Sequence, residues 1–186
     1  EYILAARKEK FETIEMEKII KNLQLSSSKY MNAGLLIIDV NKWISGNLTQ
    51  KLCEKLLQIE NNIIYWDQDV FNAYLDGAFY ELPESLNCYT NLEDNLIVRE
   101  EIKIVHFYGN KKPWTTKGIL NKKSTYYQDM YRELGLGSYH ITHKRRRESV
   151  KHLISGIFNL KIIYIKKPIS FLKDFLASLS KKPNII

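Results

Sequence analysis

Cysteine is nearly absent from this chain of 186 residues: Cys53 and Cys88 are the two. Neither sits in a CxxC or other metal-ligand spacing, so no disulfide framework is expected and a reducing, cytosolic setting fits. No apolar run approaches the roughly 18 residues that a membrane-spanning helix needs. There is no internal repeat and no low-complexity segment. What remains is a globular chain, 45% hydrophobic, sized for one domain with an appendage. Acidic residues are scarce at one end. From Tyr139 onward, 11 Lys and Arg stand against 2 Asp and Glu, whereas residues 1–138 carry 17 against 19. A basic tail on a near-neutral body points to an anionic surface, either nucleic acid or membrane. The tyrosines are scattered and form no RNP-like or OB-like pattern, so nucleic acid is not expected as a partner.

Strand and helix signals alternate through the first 138 residues, which predicts an α/β class. EYILAA reads as a strand and KEKFETIEMEKIIKNLQL as a helix. In YMNAGLLIIDV the apolar run Leu35–Ile38 predicts a strand buried on both faces, as in a parallel or mixed sheet covered by helices. Asn47 is placed to cap a helix through LTQKLCEKLLQI, with Leu48, Leu52, Leu56 and Ile59 on one side. WDQDVFNAYLDG predicts a helix with Asp67 as N-cap and Gly77 as its stop. AFYELP reads as a short strand, LNCYTNLEDN as turn-rich, EIKIVHF as a strand, and TYYQDMYRELG as a helix ended by Gly135. Helical spacing returns at Val150, Leu153, Ile154, Ile157 and Phe158, and after Pro168 at Leu172, Phe175, Leu176 and Leu179.

Three short motifs carry candidate chemistry. In MNAGLLIID, Gly34 lets another group approach the backbone, and Asn32 offers the donor and acceptor that a sugar hydroxyl requires; an Asx turn explains the same residues. In Asp67-Gln68-Asp69, the carboxylates suit a helix N-terminus for electrostatic reasons alone. Equally, Asp67 can accept hydrogen bonds from substrate hydroxyls, with the neutral Gln68 beside a reacting carbon. In HFYGNKKPW, His106 ends a strand, where an imidazole either has a structural role or binds a divalent ion. Gly109 lets backbone amides reach a phosphate, and Lys111 or Lys112 can neutralise it. Pro113 stiffens the exit, and Trp114 is expected to anchor the loop in the core.

Taken in order, these motifs resemble the family 8 glycosyltransferases. The residues that carry the resemblance are Asn32-Ala33-Gly34 with Leu36, Asp39 and Trp43, then Asp67-Gln68-Asp69, then His106-Phe107, Gly109 and Lys112-Pro113-Trp114. The resemblance implies a Rossmann-like nucleotide-diphospho-sugar transferase fold of the GT-A type and a UDP-hexose donor. It also implies retention of anomeric configuration and Mn2+, or Mg2+ in its place, held by a D-x-D pair and His106. By position, Gly109 and Lys112 would contact the diphosphate, Asn32, Ala33, Gly34 and Asp67 the donor sugar, and Asp67 and Gln68 the reaction centre. The only D-x-D here is Asp67-Gln68-Asp69, which the second motif already uses. Relative to the family the chain is therefore expected to be N-terminally truncated, and by itself inactive with poor UDP affinity.

The tail, KRRRESVKHLISGIFNLKIIYIKK, is similar to the C-terminal extension of bacterial lipopolysaccharide glucosyl- and galactosyltransferases of the same family. Residues 1–138 are thus expected to be the C-terminal part of a catalytic domain, and 139–186 a basic amphipathic helical extension. A saccharide or lipid-linked glycan acceptor is what this resemblance implies; the basic tail with Phe158, Tyr164, Phe171 and Phe175 is expected either to sit on the inner face of the cytoplasmic membrane or to be a helical cap packed on the domain with its lysines in solvent. The alternatives are a catalytically dead fragment and a basic interaction module.

Overall fold

A computed structural model describes residues 2–89, 101–109, 111–136 and 139–180. The chain divides into two compact units. One holds the described residues up to Cys88 together with 101–104, and the other holds Tyr89 and the described residues from Val105 onward.

The first unit is built on a three-stranded sheet in the order β2-β1-β3, from β1 (Leu4–Lys8), β2 (Met31–Ile38) and β3 (Tyr80–Glu81). β1 pairs antiparallel with β2 and parallel with β3. The apolar run at Leu35–Ile38 was expected to be buried on both faces. Instead β2 is an edge strand of this sheet, and Ile37 and Ile38 remain 54% and 36% exposed. The register is irregular: Ala6 faces Leu36, but Lys8 faces Met31. Two residues along β1 thus span five along β2, and Asn32 to Leu35 form a bulge that leaves the ladder. Bulges redirect side chains and backbone groups away from the sheet, and this one contains the whole Asn-Ala-Gly motif.

Four helices complete the unit: α1 (Thr13–Leu23), α2 (Val40–Ser45), α3 (Leu48–Ile59) and α4 (Asp67–Leu75). The apolar faces of α1, α3 and α4 close on Tyr30 in a core of Ile19, Leu23, Leu25, Ile59 and Val70. A second cluster, Leu4, Ala6, Met31 and Phe79, seals the sheet. On α3, Leu48 is buried as expected, while Leu56 is 41% exposed. Asn47 does stand at the N-cap of α3, but in a left-handed conformation, and its amide donates to the Gln50 side chain at 2.6 Å rather than capping the helix. Asp67 is the first helical residue of α4, with Trp66 in the N-cap position. α4 ends at Asp76 in a left-handed conformation, and Gly77 follows at φ +84°.

The short strands β4 (Cys88–Tyr89) and β5 (Val105–His106) pair, and Tyr89 and β5 belong to the second unit. The strand expected over EIKIVHF is thus confined to its last residues. The turn-rich stretch beyond Tyr89, and Asn110, lie outside the described residues. Helices α5 (Thr116–Ile119), α6 (Ser124–Glu133), α7 (Arg146–Phe158) and α8 (Pro168–Ser180) follow. Gly135 ends α6 at φ +69°, as its position predicted. Ile119 and Leu120 share one core with Ile141, Leu153, Ile165, Phe171 and Phe175. The division expected at 138/139 therefore falls inside this unit, because both sides of it supply the same apolar core. Among the described residues no helix is long and apolar enough to cross a membrane.

Candidate functional site

The Asn-Ala-Gly bulge is fastened by side chains of α4. The Gln68 side-chain oxygen accepts the Ala33 N–H at 3.1 Å. One turn on, the Asn72 amide accepts the Met31 N–H at 2.7 Å and donates to the Met31 carbonyl at 2.9 Å. Residues four apart on a helix and two apart on a strand advance by similar distances, ~6 Å and ~7 Å. Two helix amides therefore stand in for a neighbouring strand at the outer edge of β2.

Asp69 is fully buried and does not face a ligand. One carboxylate oxygen accepts the N–H groups of Ile64 and Tyr65 at 2.6 and 2.7 Å, and the other accepts the Tyr30 hydroxyl. Burial, then the Asp69 carboxylate, holds the Tyr30 hydroxyl well above the ordinary tyrosine range, so it remains a donor. The loop that Asp69 secures includes Trp66 at φ 52°, a strained position for a non-glycine residue, with the indole 82% exposed. Asp67, beside it, is exposed, and its carboxylate makes no hydrogen bond among the described residues. It stands at the rim of an apolar hollow of about 360 Å³ between α3 and α4.

Asn32 is only 4% exposed. Its Nδ2 donates to Glu9 Oε2 at 2.7 Å, and its Oδ1 accepts from the Gly34 N–H at 3.0 Å and from Asn87 Nδ2 at 3.2 Å. Both acceptor sites of that oxygen are used, which corrects the expectation that Asn32 offers a ligand a donor and an acceptor together. What it retains is one N–H. Arg7 extends the cluster, donating to the Asn87 carbonyl and pairing with Glu84 at 3.3 Å. Gly34 itself is exposed.

In the second unit the HFYGNKKPW loop closes on itself. Lys112 Nζ donates to the Phe107 carbonyl. The Thr115 hydroxyl donates to the Lys112 carbonyl at 2.8 Å and accepts the Gly118 N–H at 3.1 Å, capping α5. Gly109 lies at φ 65°. Gly118 packs so closely that a Cβ there would stand 1.9 Å from the Lys112 carbonyl oxygen. Pro113 is buried, whereas Trp114 is 37% exposed and faces Tyr127 at 6.3 Å, so proline rather than tryptophan enters the core. His106 is half-buried, with Tyr89 and Tyr108 ring centroids at 6.0 and 5.9 Å. Among the described residues no group of three His, Cys, Asp or Glu could hold a metal ion.

The first unit therefore brings Asn32, Ala33, Gly34 and Gln68 together, with Asp67 at the head of the same helix as Gln68. His106, Gly109 and Lys112 share one loop of the second. Sequence reasoning missed Glu9, Asn72, Asn87 and Gly118. Asn72 could have been found from its place four residues after Gln68 on one helix face. The others carry no local signal.

The chain covers only part of the known proteins it resembles. It is 30% identical over 96 residues to a lipopolysaccharide 1,2-glucosyltransferase of Escherichia coli, covering 46% of this chain and 28% of that protein. It is 31% identical over 99 residues to a lipopolysaccharide 1,3-galactosyltransferase of Salmonella typhimurium, covering 49% and 29%. It is 32% identical over 105 residues to general stress protein A of Bacillus subtilis, covering 48% and 37%. The fold is similar to that of the galactosyltransferase LgtC, crystallised with donor and acceptor sugar analogues, at a TM-score of 0.55 and 16% identity. That likeness covers 80% of this chain and 56% of LgtC and supports a nucleotide-sugar transferase fold. The model of glycosyl transferase family 8 matches residues 1–118, which include all three motifs, and the chain belongs to that family.

Proposed function

We propose that this chain is part of a retaining hexosyltransferase that moves glucose or galactose from a UDP-sugar to a saccharide acceptor, the lipopolysaccharide core being the favoured one. The observation that carries the reading is the fastening of the Asn-Ala-Gly bulge by Gln68, which gives two separate family motifs one shared geometry. In this reading the exposed Gly34 and Ala33 backbone and the remaining Asn32 N–H contact the donor hexose. Asp67 accepts from its hydroxyls, and Gln68 stands at the anomeric carbon. Breaking the sugar–phosphate bond leaves charge on the diphosphate, which the Gly109 backbone and the Lys112 ammonium stabilise. For that, Lys112 must leave the Phe107 carbonyl it now binds.

His106 is the one metal ligand the reading draws from this chain. Among the described residues no group of three His, Cys, Asp or Glu completes a site for Mn2+ or Mg2+ with it. A second reading for these 186 residues alone is weak donor binding and no transfer, because the D-x-D pair to which the resemblance assigns the metal is not in the sequence apart from Asp67-Gln68-Asp69. Saturation-transfer NMR with UDP-glucose and UDP-galactose tests both. Contacts to the hexose that vanish in Gln68→Ala are expected. Absence of any hexose contact would reject the donor site, and sugar transfer by the purified chain would reject the inactive reading.

We further propose a peripheral position on the inner, cytoplasmic face of an anionic membrane. Phe158, Leu160 and Ile163 are 84%, 69% and 71% exposed at the C-terminal end of α7, with the exposed Lys161 among them, and the exposed run Lys144–Arg147 lies at the other end of that helix. Exposed apolar side chains on a segment that also carries exposed cations suit an anionic bilayer surface. Deleting residues 145–186 would strip Leu153, Phe171 and Phe175 from the core, so the useful variant is Phe158→Ser with Ile163→Ser. Reduced liposome co-sedimentation without loss of helicity is expected; unchanged sedimentation would reject the membrane reading.

A further inference from the structure

We propose that the cleft between the C-terminal end of α6 and the Lys166–Lys167 turn binds the phosphate group of a small ester. The cleft lies in the second unit and encloses about 250 Å³. That is just below the ~300–1,000 Å³ of pockets that take whole drug-sized ligands, and it suits a headgroup or a single sugar phosphate.

Its floor is rigid. Gln128, 5% exposed, donates to Ser124 Oγ and the Tyr164 carbonyl, both at 2.9 Å. Its side-chain oxygen accepts the Lys166 N–H at 2.9 Å and the Tyr139 hydroxyl at 3.2 Å. Every polar atom of that amide is occupied, so the floor supplies shape, and recognition falls to the rim.

The rim is cationic. Arg132, Lys166 and Lys167 line it. Arg132 and Lys166 both reach one carboxylate oxygen of Asp129, the former at 3.3 Å, and Asp129 thereby holds both at the cleft. Lys167 has no acidic partner among the described residues. Three cations stand against Asp129 and against Asp174, whose carboxylate accepts the Tyr139 N–H at 2.7 Å, and an excess of positive charge remains around a small concavity. A guanidinium and two ammonium groups on one rim match the oxygens of a phosphate. Leu136, 47% exposed, provides an apolar wall for the carbon skeleton of an ester. Beside it the chain leaves α6 at Gly135, where an added Cβ would meet nothing within 4 Å. None of these residues is used by the donor-sugar or diphosphate roles proposed above, and the site stands or falls independently of them.

The test uses the whole 186-residue chain and two probes. Inorganic phosphate is titrated by calorimetry, and vesicles of phosphatidylcholine with and without phosphatidylglycerol are tested by flotation. The variant is Arg132→Gln with Lys167→Gln. The control is Lys18→Gln with Lys51→Gln, which removes equal charge from exposed helix positions in the first unit. Circular dichroism checks that both fold.

Phosphate binding weakened by about tenfold or more in the variant, and by less than about twofold in the control, is expected. If the same contrast appears only with phosphatidylglycerol vesicles, the phosphate is that of a lipid headgroup. If it appears only with inorganic phosphate, a soluble phosphate ester is the ligand. Equal behaviour of variant and control with both probes, or no binding of either probe by the unaltered chain, overturns the proposal.

Discussion

Gln68 and Ala33, 35 residues apart, are joined by a hydrogen bond of 3.1 Å from the Ala33 backbone to the Gln68 side chain. With it, a helix side chain completes the edge of a strand exactly where that strand bulges out of its ladder. The same helix supplies Asn72 to Met31, and the two amides together hold the motif that the family resemblance assigns to the donor sugar.

Asn72→Ala removes both partners of Met31 on that edge. The Met31 N–H and carbonyl are buried, and leaving each unsatisfied costs about 1–3 kcal/mol. A lower urea midpoint with an unchanged slope is expected, together with shifted amide resonances at Met31 and Ala33. Unchanged stability would mean that water replaces the amide and that the edge is not sealed by α4.

Gly118→Ala places a methyl group 1.9 Å from the Lys112 carbonyl oxygen. The obstacle is backbone, so the loop or the start of α5 must move. Overpacking of this kind costs roughly 1–3 kcal/mol and sometimes more. The melting temperature should fall, and amide shifts should change through residues 111–116 while those of β1 and α1 stay put. An unperturbed loop would show that α5 yields instead.

The His143 imidazole is half-buried, donates to or accepts from Ser178 Oγ at 2.8 Å, and packs edge-on to Phe175 at 5.2 Å. Burial, and then the nearby Arg146 charge, holds it below its ordinary value of 6.5. The folded chain therefore resists a proton that the unfolded chain accepts. The neutral ring's contribution is complete above about pH 6.5, and it is lost as the pH falls from there toward the lower folded value. Urea midpoints taken from pH 8 to 5 should decline less steeply in His143→Asn than in the parent. Parallel curves would show that His143 does not titrate differently in the two states.

Much of the local architecture was legible in the sequence because its causes are local. The alternation of signals marked an α/β chain, and Gly77 and Gly135 marked the ends of α4 and α6, since a left-handed turn of backbone favours glycine. The apolar spacing at Val150–Phe158 and Leu172–Leu179 marked α7 and α8. Sequence reasoning failed where a competing side-chain partner or the place of a strand in its sheet decided the outcome. Asn47 reads as a cap from its position, yet its amide turns to Gln50. Leu35–Ile38 reads as a doubly buried strand, yet it lies at the edge of its sheet.

The sequence by itself determined the longer helices but not α2 or α5, most of the strands and the residues that carry the family resemblance, because periodicity and turn chemistry act over a few residues. Only the tertiary structure decided what those residues touch. Asn32 meets Glu9 and Asn87 across separations of 23 and 55 residues, and Asp69 turns inward to Tyr30 from 39 residues away. The physical reason is that a buried polar group must find a partner wherever the packed chain presents one, and that choice is made by the closure of the core rather than by neighbours along the chain.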